Sequence, residues 1–262
     1  MSEATVLCKT DDRGVARVRL NRPQLHNAMD EVLIGALAET FQRLSGDETV
    51  RIVIQSGNGK SFCAGGDIGW MRRTAEYGVD ENTKDALVLA RMLDAIDTCS
   101  KPVIGLIHGA IYGGGNGLVS AVDIAIAAEG AKFCLSEVKL GLLPATISPY
   151  VVRAMGGRAA RRYFLTAEVI DTEKALDLGL VHEIVPADDL EDASERLVAA
   201  LLDNGPKAMA ASKDLIARVR ERPIDDALMS YTAGRIAEVR ATDEGKEGAE
   251  AFLEKRKPAW RT

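Results

Sequence analysis

Pro102-Val103-Ile104-Gly105-Leu106-Ile107-His108-Gly109, followed closely by Gly113-Gly114-Gly115-Asn116-Gly117 and an apolar helical turn over 118–121, decides the fold. A short apolar run between turn residues reads as a buried strand, and the glycines after it open a helix. The same succession stands upstream. Arg51-Ile52-Val53-Ile54-Gln55 is a strand closed by Gly57-Asn58-Gly59, and Ser61-Phe62-Cys63-Ala64-Gly65-Gly66-Asp67-Ile68 leads into a helix at Trp70. Residues 123–127 and 132–135 give two more strands. Recurring strand, Gly-rich turn and helix define an α/β chain.

Towards the N-terminus, residues 6–8 and 15–20 alternate apolar with polar, and Asp11-Asp12-Arg13-Gly14 between them is a turn cluster. Together they predict a β-hairpin. Asn21-Arg22-Pro23 breaks the second strand, and Asn27, with Asp30 three residues on, reads as a helix N-cap. The helix shows Val32, Leu33, Leu37, Phe41 and Leu44 at helical spacing and ends at Ser45-Gly46-Asp47. Residues 85–98 repeat the period through Leu87, Leu89, Ala90, Leu93 and Ile96. From residue 145 helical patterns dominate, interrupted by one strand over 181–185. The expected division is a core over 1–200 and a helical C-terminal region over 201–262.

At 262 residues the chain can bury most of its apolar surface without a disulfide or metal staple. Its 33 basic and 39 acidic residues leave a net charge of −6, which argues against coating nucleic acid and gives no support to RNA binding. No segment has the apolar length of a membrane span, and Met1-Ser2-Glu3-Ala4-Thr5-Val6 lacks the features of a secretory signal. The expectation is a soluble cytoplasmic protein with no membrane partner. Cys8, Cys63, Cys99 and Cys134 form no C-x-x-C pair, and His26, His108 and His182 are scattered, so no metal site is expected.

Three segments carry chemistry. The turn at 61–68 has small residues that leave backbone N–H groups accessible. Residues 113–117 add helix N-terminal donors, which suit a phosphate or a developing oxyanion. They are neither a Walker A loop nor G-x-G-x-x-G. In Leu135-Ser136-Glu137-Val138-Lys139-Leu140-Gly141-Leu142-Leu143-Pro144, a glutamate sits among apolar residues at a strand end, where its pKa would rise towards the range of a general acid or base.

Taken in order, Asn21-Arg22-Pro23 with Asn27-Ala28, Phe62-Cys63-Ala64-Gly65-Gly66-Asp67-Ile68, Gly109-Ala110 with Gly113-Gly114-Gly115, Asp123-Ile124, Glu137 and Gly141-Leu142-Leu143-Pro144 resemble the enoyl-CoA hydratase/isomerase (crotonase) superfamily. Leu165-Thr166-Ala167-Glu168 and Ala251-Phe252-Leu253-Glu254-Lys255-Arg256-Lys257-Pro258 are similar to its helical region and ending. The resemblance implies a spiral of β-β-α repeats with a C-terminal helical oligomerisation region, assembled as a homotrimer or a dimer of trimers. It implies an acyl-CoA substrate and no separate cofactor, coenzyme A being part of the substrate. Glu137 matches a catalytic acid/base, and the amides of Gly66 and Gly114 match an oxyanion hole. Ala28, Ala64, Gly65, Asp67, Ile68, Tyr112 and Gly117 match substrate-binding positions.

One position departs from the pattern. Hydratases of the family carry two glutamates around the activated water. The second matches Glu137, and the first falls at Gly117, which has no side chain. Asn116 beside it is polar and is expected to turn elsewhere. The wording around 135–150 looks like a bacterial subgroup of methylglutaconyl-CoA or carboxygeranoyl-CoA hydratases. Three readings stay open: a hydratase, of a plain or a carboxylated branched enoyl-CoA; a Δ3,Δ2-enoyl-CoA isomerase using one glutamate; and a non-catalytic acyl-CoA-binding subunit.

Overall fold

The computed structural model describes residues 4–261; residues 1–3, part of the N-terminal stretch read above, and residue 262 lie outside them. The hairpin forms as expected, with β1 (Val6–Thr10) antiparallel to β2 (Val15–Leu20). The Asp11 carboxylate accepts the Arg13 and Val15 amides and so shapes the turn. Beyond the hairpin, β3 (Ile52–Gly57), β4 (Val103–Ile107), β6 (Ile124–Ala128) and β8 (Glu183–Val185) add in parallel, giving a six-stranded sheet in the order β1-β2-β3-β4-β6-β8.

A second, smaller sheet makes the spiral. β5 (Ala110–Tyr112) pairs in parallel with β7 (Lys132–Cys134), and Cys63 bridges onto Ile111 from the preceding repeat. Each repeat therefore lays one strand in the large sheet and one short segment in the small sheet before turning into helix. After β3 come α2 (Ile68–Thr74) and α3 (Val79–Asp97), and after β5 comes α4 (Gly114–Ala121). The three residues of β5 were not legible, because a strand that short shows no alternation.

Alternation along the large sheet sorts its side chains onto two covered faces. Ala16, Val18, Leu20, Val53, Val103 and Ile107 belong to the main core, with α1 (Glu31–Gly46), α3, α4 and α5 (Ser148–Met155). Val15, Ile52, Ile54, Ile104, Leu106 and Ile126 face the opposite way and are covered by α8 (Leu190–Leu202) through Ala193 and Val198. Parallel strands buried on both faces carry continuous apolar runs, which is why β3 and β4 were readable. Each fully buried Leu, Ile, Val or Phe contributes roughly 1.5–3 kcal/mol, so packing rather than intrinsic propensity holds these helices.

The start of α1 corrects the sequence reading. Asp30, not Asn27, is the N-cap, accepting the Leu33 amide at 2.9 Å. Asn27 adopts φ 54° and is fully buried as a loop staple. Its Oδ1 accepts the Arg22 amide at 2.8 Å, while Nδ2 donates to the carbonyls of Asn58 and Ser61. Val32 is exposed and Ile34 takes its place on the buried stripe. The helix expected over 85–98 is α3 and starts at Val79, and its Leu87 is likewise exposed.

After α6 (Gly157–Thr166) and α7 (Thr172–Asp177), the chain ends in α9 (Pro206–Val219), α10 (Asp226–Ala241) and α11 (Asp243–Leu253). Lys213 of α9 ties this region to the sheet, donating to Asp123 Oδ2 at 2.7 Å and to the Lys101 carbonyl at 3.0 Å. Beyond residue 200, Leu228 is buried, and Leu201 and Leu202 at the end of α8 pack against the sheet face that α8 covers. Ile216 and Phe252 are exposed. No helix of the described residues is long and apolar enough to cross a membrane.

Candidate active site

The first turn is built around Met29. Its amide donates to the Gly65 carbonyl at 2.7 Å, and its carbonyl accepts the Asp67 amide at 2.8 Å. That is one parallel bridge, with Gly66 as the residue opposite Met29. In such a bridge the opposed residue directs its own N–H and C=O away from its partner. The Gly66 N–H thus faces away from Met29, and no protein acceptor among the described residues engages it.

Asp67 fixes the exit of this turn. Its carboxylate caps α2, accepting the Gly69 and Trp70 amides at 2.8 and 3.1 Å. Burial alone would raise its pKa, but those two amides and Arg22 hold it below the ordinary carboxylate value. Arg22 Nη2 also pairs with Asp30 at 2.9 Å, and Nη1 donates to the Ala28 carbonyl at 2.6 Å. One guanidinium therefore ties the caps of α1 and α2 to the loop between them. In the sequence Arg22 reads as part of a strand breaker and of the family motif Asn21-Arg22-Pro23; the two carboxylates it joins are far apart in sequence, so this role leaves no local signal.

The second turn lies against the first. Gly113 donates its amide to the Cys134 carbonyl at 2.9 Å, and α4 begins at Gly114. The first amides of a helix have no intrahelical acceptor. The Gly114 N–H accordingly has none among the described residues. A Cβ on Gly115 would stand 2.4 Å from the Cys63 carbonyl oxygen, so only glycine lets the two turns approach this closely.

Glu137 opens a 3-10 turn, Glu137–Leu140, just past β7 rather than ending a strand. Its Oε1 lies 3.3 Å from where a Cβ on Gly113 would be, which places the carboxyl beside the second turn. Its Oε2 is buried with no hydrogen-bond partner. Burial pushes its pKa up, only partly opposed by its own backbone amide. A buried carboxyl oxygen without a partner is costly, and a carboxyl whose pKa is raised in this way can accept and return a proton.

The remaining expected residues are distributed unevenly. Ala28, Ala64, Gly66 and Tyr112 are half-buried near the turns, and Ile68 is 66% exposed. The Ala64 amide is bonded to the His26 carbonyl and the Tyr112 amide to Cys63. Gly117 is buried and faces packed side chains: a Cβ there would meet Ile147 Cγ2 at 2.5 Å and Leu93 Cδ2 at 3.3 Å. Ile147 therefore fills the space beside Gly117, a feature without any motif in the sequence. Asn116 does turn inwards, away from the site, as expected.

Two unengaged amides near one buried carboxyl can stabilise charge on an oxygen while a proton moves at an adjacent carbon. With the two-sheet spiral, this places the chain among crotonase-fold proteins. The sequence profile of the enoyl-CoA hydratase/isomerase family matches residues 10–262, and the chain belongs to that family. A crystal structure of an enoyl-CoA hydratase from Shewanella pealeana is 46% identical, with a TM-score of 0.95 over 98% of this chain and 96% of that one. Pseudomonas aeruginosa AtuE is 39% identical, with a TM-score of 0.93 over 98% of this chain and all of that one (100%). Enoyl-CoA hydratase AKT6-1 of Alternaria alternata is 36% identical over 208 residues, 79% of this chain and 68% of that protein.

Proposed function

We propose that the protein adds water to an enoyl-CoA thioester, with Glu137 as sole acid/base and the Gly66 and Gly114 amides receiving the thioester oxygen. The observation that carries this reading is the half-buried Glu137 beside the second turn, with one carboxyl oxygen buried and without a hydrogen-bond partner. A panel of plain and carboxylated enoyl-CoAs offered to the purified protein tests it. Hydration of at least one member is expected, and no turnover of any would refute the reading.

The packing at Gly117 favours a carboxylated branched substrate such as methylglutaconyl-CoA. Ile147 and Leu93 leave no room for a second protein carboxylate there, whereas a substrate can bring its own. A general acid or base contributes about 10²–10⁴-fold, so plain crotonyl-CoA should be slower by a comparable factor. Gly117→Glu alone should disrupt packing rather than restore activity, because Ile147 occupies the space. Gly117→Glu with Ile147→Ala makes the room, and crotonyl-CoA hydration by that double variant should exceed wild type. Equal or lower hydration by the folded double variant would count against a missing second carboxylate.

The same packing supports a second reading, a Δ3,Δ2-enoyl-CoA isomerase. One carboxylate suffices to carry a proton between C2 and C4. Product analysis on a 3-enoyl-CoA separates the two.

The reading extends to assembly as a homotrimer or dimer of trimers. Ile216, Ile224, Phe252 and Leu253 stand 65–86% exposed on the C-terminal region, apolar side chains that burial against a neighbouring subunit would cover. Light scattering at micromolar concentration should give a mass at least three times that of the chain. A monomer would contradict it.

A further inference from the structure

We infer that Asn116 is a positioning residue that holds the Gly114 amide and the Glu137 carboxyl in register, an inference that rests on the roles proposed above for those two groups. The parallel β5–β7 ladder ends at the pair Tyr112 and Cys134. Beyond it one chain turns into α4 and the other runs on to Glu137. The regular ladder offers nothing further to keep these two ends together, and the side chain of Asn116 takes over.

Asn116 Nδ2 donates to the Cys134 carbonyl at 3.0 Å, the Gly113 carbonyl at 3.2 Å and the Ile111 carbonyl at 3.3 Å. All three partners are acceptors, so the orientation of the amide is unambiguous. The Cys134 carbonyl receives the Gly113 amide as well, at 2.9 Å. One side chain thus joins the end of β5, the turn before Gly114 and the end of β7, three residues before Glu137.

The residue is kept at a cost. Asn116 is 1% exposed and its Oδ1 has no partner. A buried acceptor without a donor opposes folding. Leucine at this position would keep the branched shape and remove that unpaired oxygen, while taking away the side-chain donor the three carbonyls share and leaving the Cys134 and Gly113 carbonyls only the main-chain amides of Gly113 and Asn116. Leucine shares the branching of Asn116 and lacks its donor group, which is the difference the comparison reads.

The test compares Asn116→Leu and Asn116→Ser with wild type, using kcat, KM and a carboxyl NMR titration of Glu137. Misplacement of reacting groups by about 1 Å can cost on the order of 10²-fold. A fall of that order in kcat, with KM within about threefold, is expected for Asn116→Leu. Asn116→Ser, which keeps one donor, should lose less. The Glu137 titration should move towards the ordinary glutamate range in Asn116→Leu as the carboxyl gains water. An unchanged kcat and titration in folded Asn116→Leu, or a loss carried by KM alone, would overturn the inference. So would failure of both variants to fold, which would make Asn116 a folding residue. If wild type turns over no enoyl-CoA, the proposed reaction fails, and the titration still decides whether Asn116 positions Glu137.

Discussion

Glu137→Gln should lower turnover by about 10²–10⁴-fold while acyl-CoA affinity stays near wild type, the range for loss of a general acid–base group. The substitution keeps the shape and replaces the titratable carboxyl with an amide that neither ionises nor acts as an acid or base at these pH values. It should also change stability in the opposite sense. Burial raises the folded-state pKa of Glu137 above its unfolded value. The native protein then holds that proton more tightly, so this group's contribution to stability is present in full below the unfolded pKa. It is lost as pH rises through the folded pKa. Gln carries no such titration. Above the folded pKa the variant should therefore melt at the same temperature as wild type or higher, and the advantage should vanish in acid. Thermal melts across pH with parallel kinetics check both halves. A fully active Glu137→Gln would remove Glu137 from the chemistry. A variant that melts lower at neutral pH would mean that the carboxylate has a partner.

Gly114→Pro should reduce kcat by about 10²–10³-fold, the usual loss on removing one oxyanion donor. Proline suits the first position of a helix, where the amide has no intrahelical acceptor anyway. Helix α4 therefore has little reason to unravel. Sterics need a control, since a Cβ at 114 would come within 2.3 Å of Met29 Cε. Gly114→Ala makes that contact and keeps the N–H. The difference between the two variants isolates the amide, once circular dichroism shows both folded. Equal losses in Pro and Ala variants would mean that crowding by Met29, not a missing donor, is responsible.

The sequence showed most of the scaffold for a physical reason. Strands buried on both faces leave apolar runs, and β3 and β4 were legible as such. Glu137 and the two glycine turns were legible because their residue types are unusual in their settings, and the family resemblance ordered them. What stayed hidden depends on partners distant in sequence. Asn27 has the composition of a helix cap, yet its fully buried side chain joins loops that meet only in the folded chain. Arg22 pairs with Asp67 across 45 residues. The contact between Gly117 and Ile147 leaves no mark in composition or period. The sequence shows a missing side chain at 117, and only the structure shows what occupies its place.

The parallel bridge between Met29 and Gly66 has a consequence for how this site changes over time. Both donors proposed for the thioester oxygen are main-chain groups, so no loss of a side chain removes the N–H itself. An alanine scan would register the second turn as intolerance of added bulk at 114 and 115, not as loss of a functional group. The surrounding side chains are then free to drift towards other acyl groups while the electrophile-binding apparatus stays constant. On this reading substrate preference is written in side chains, proton transfer in Glu137, and the stabilisation of charge on oxygen in the path of the backbone.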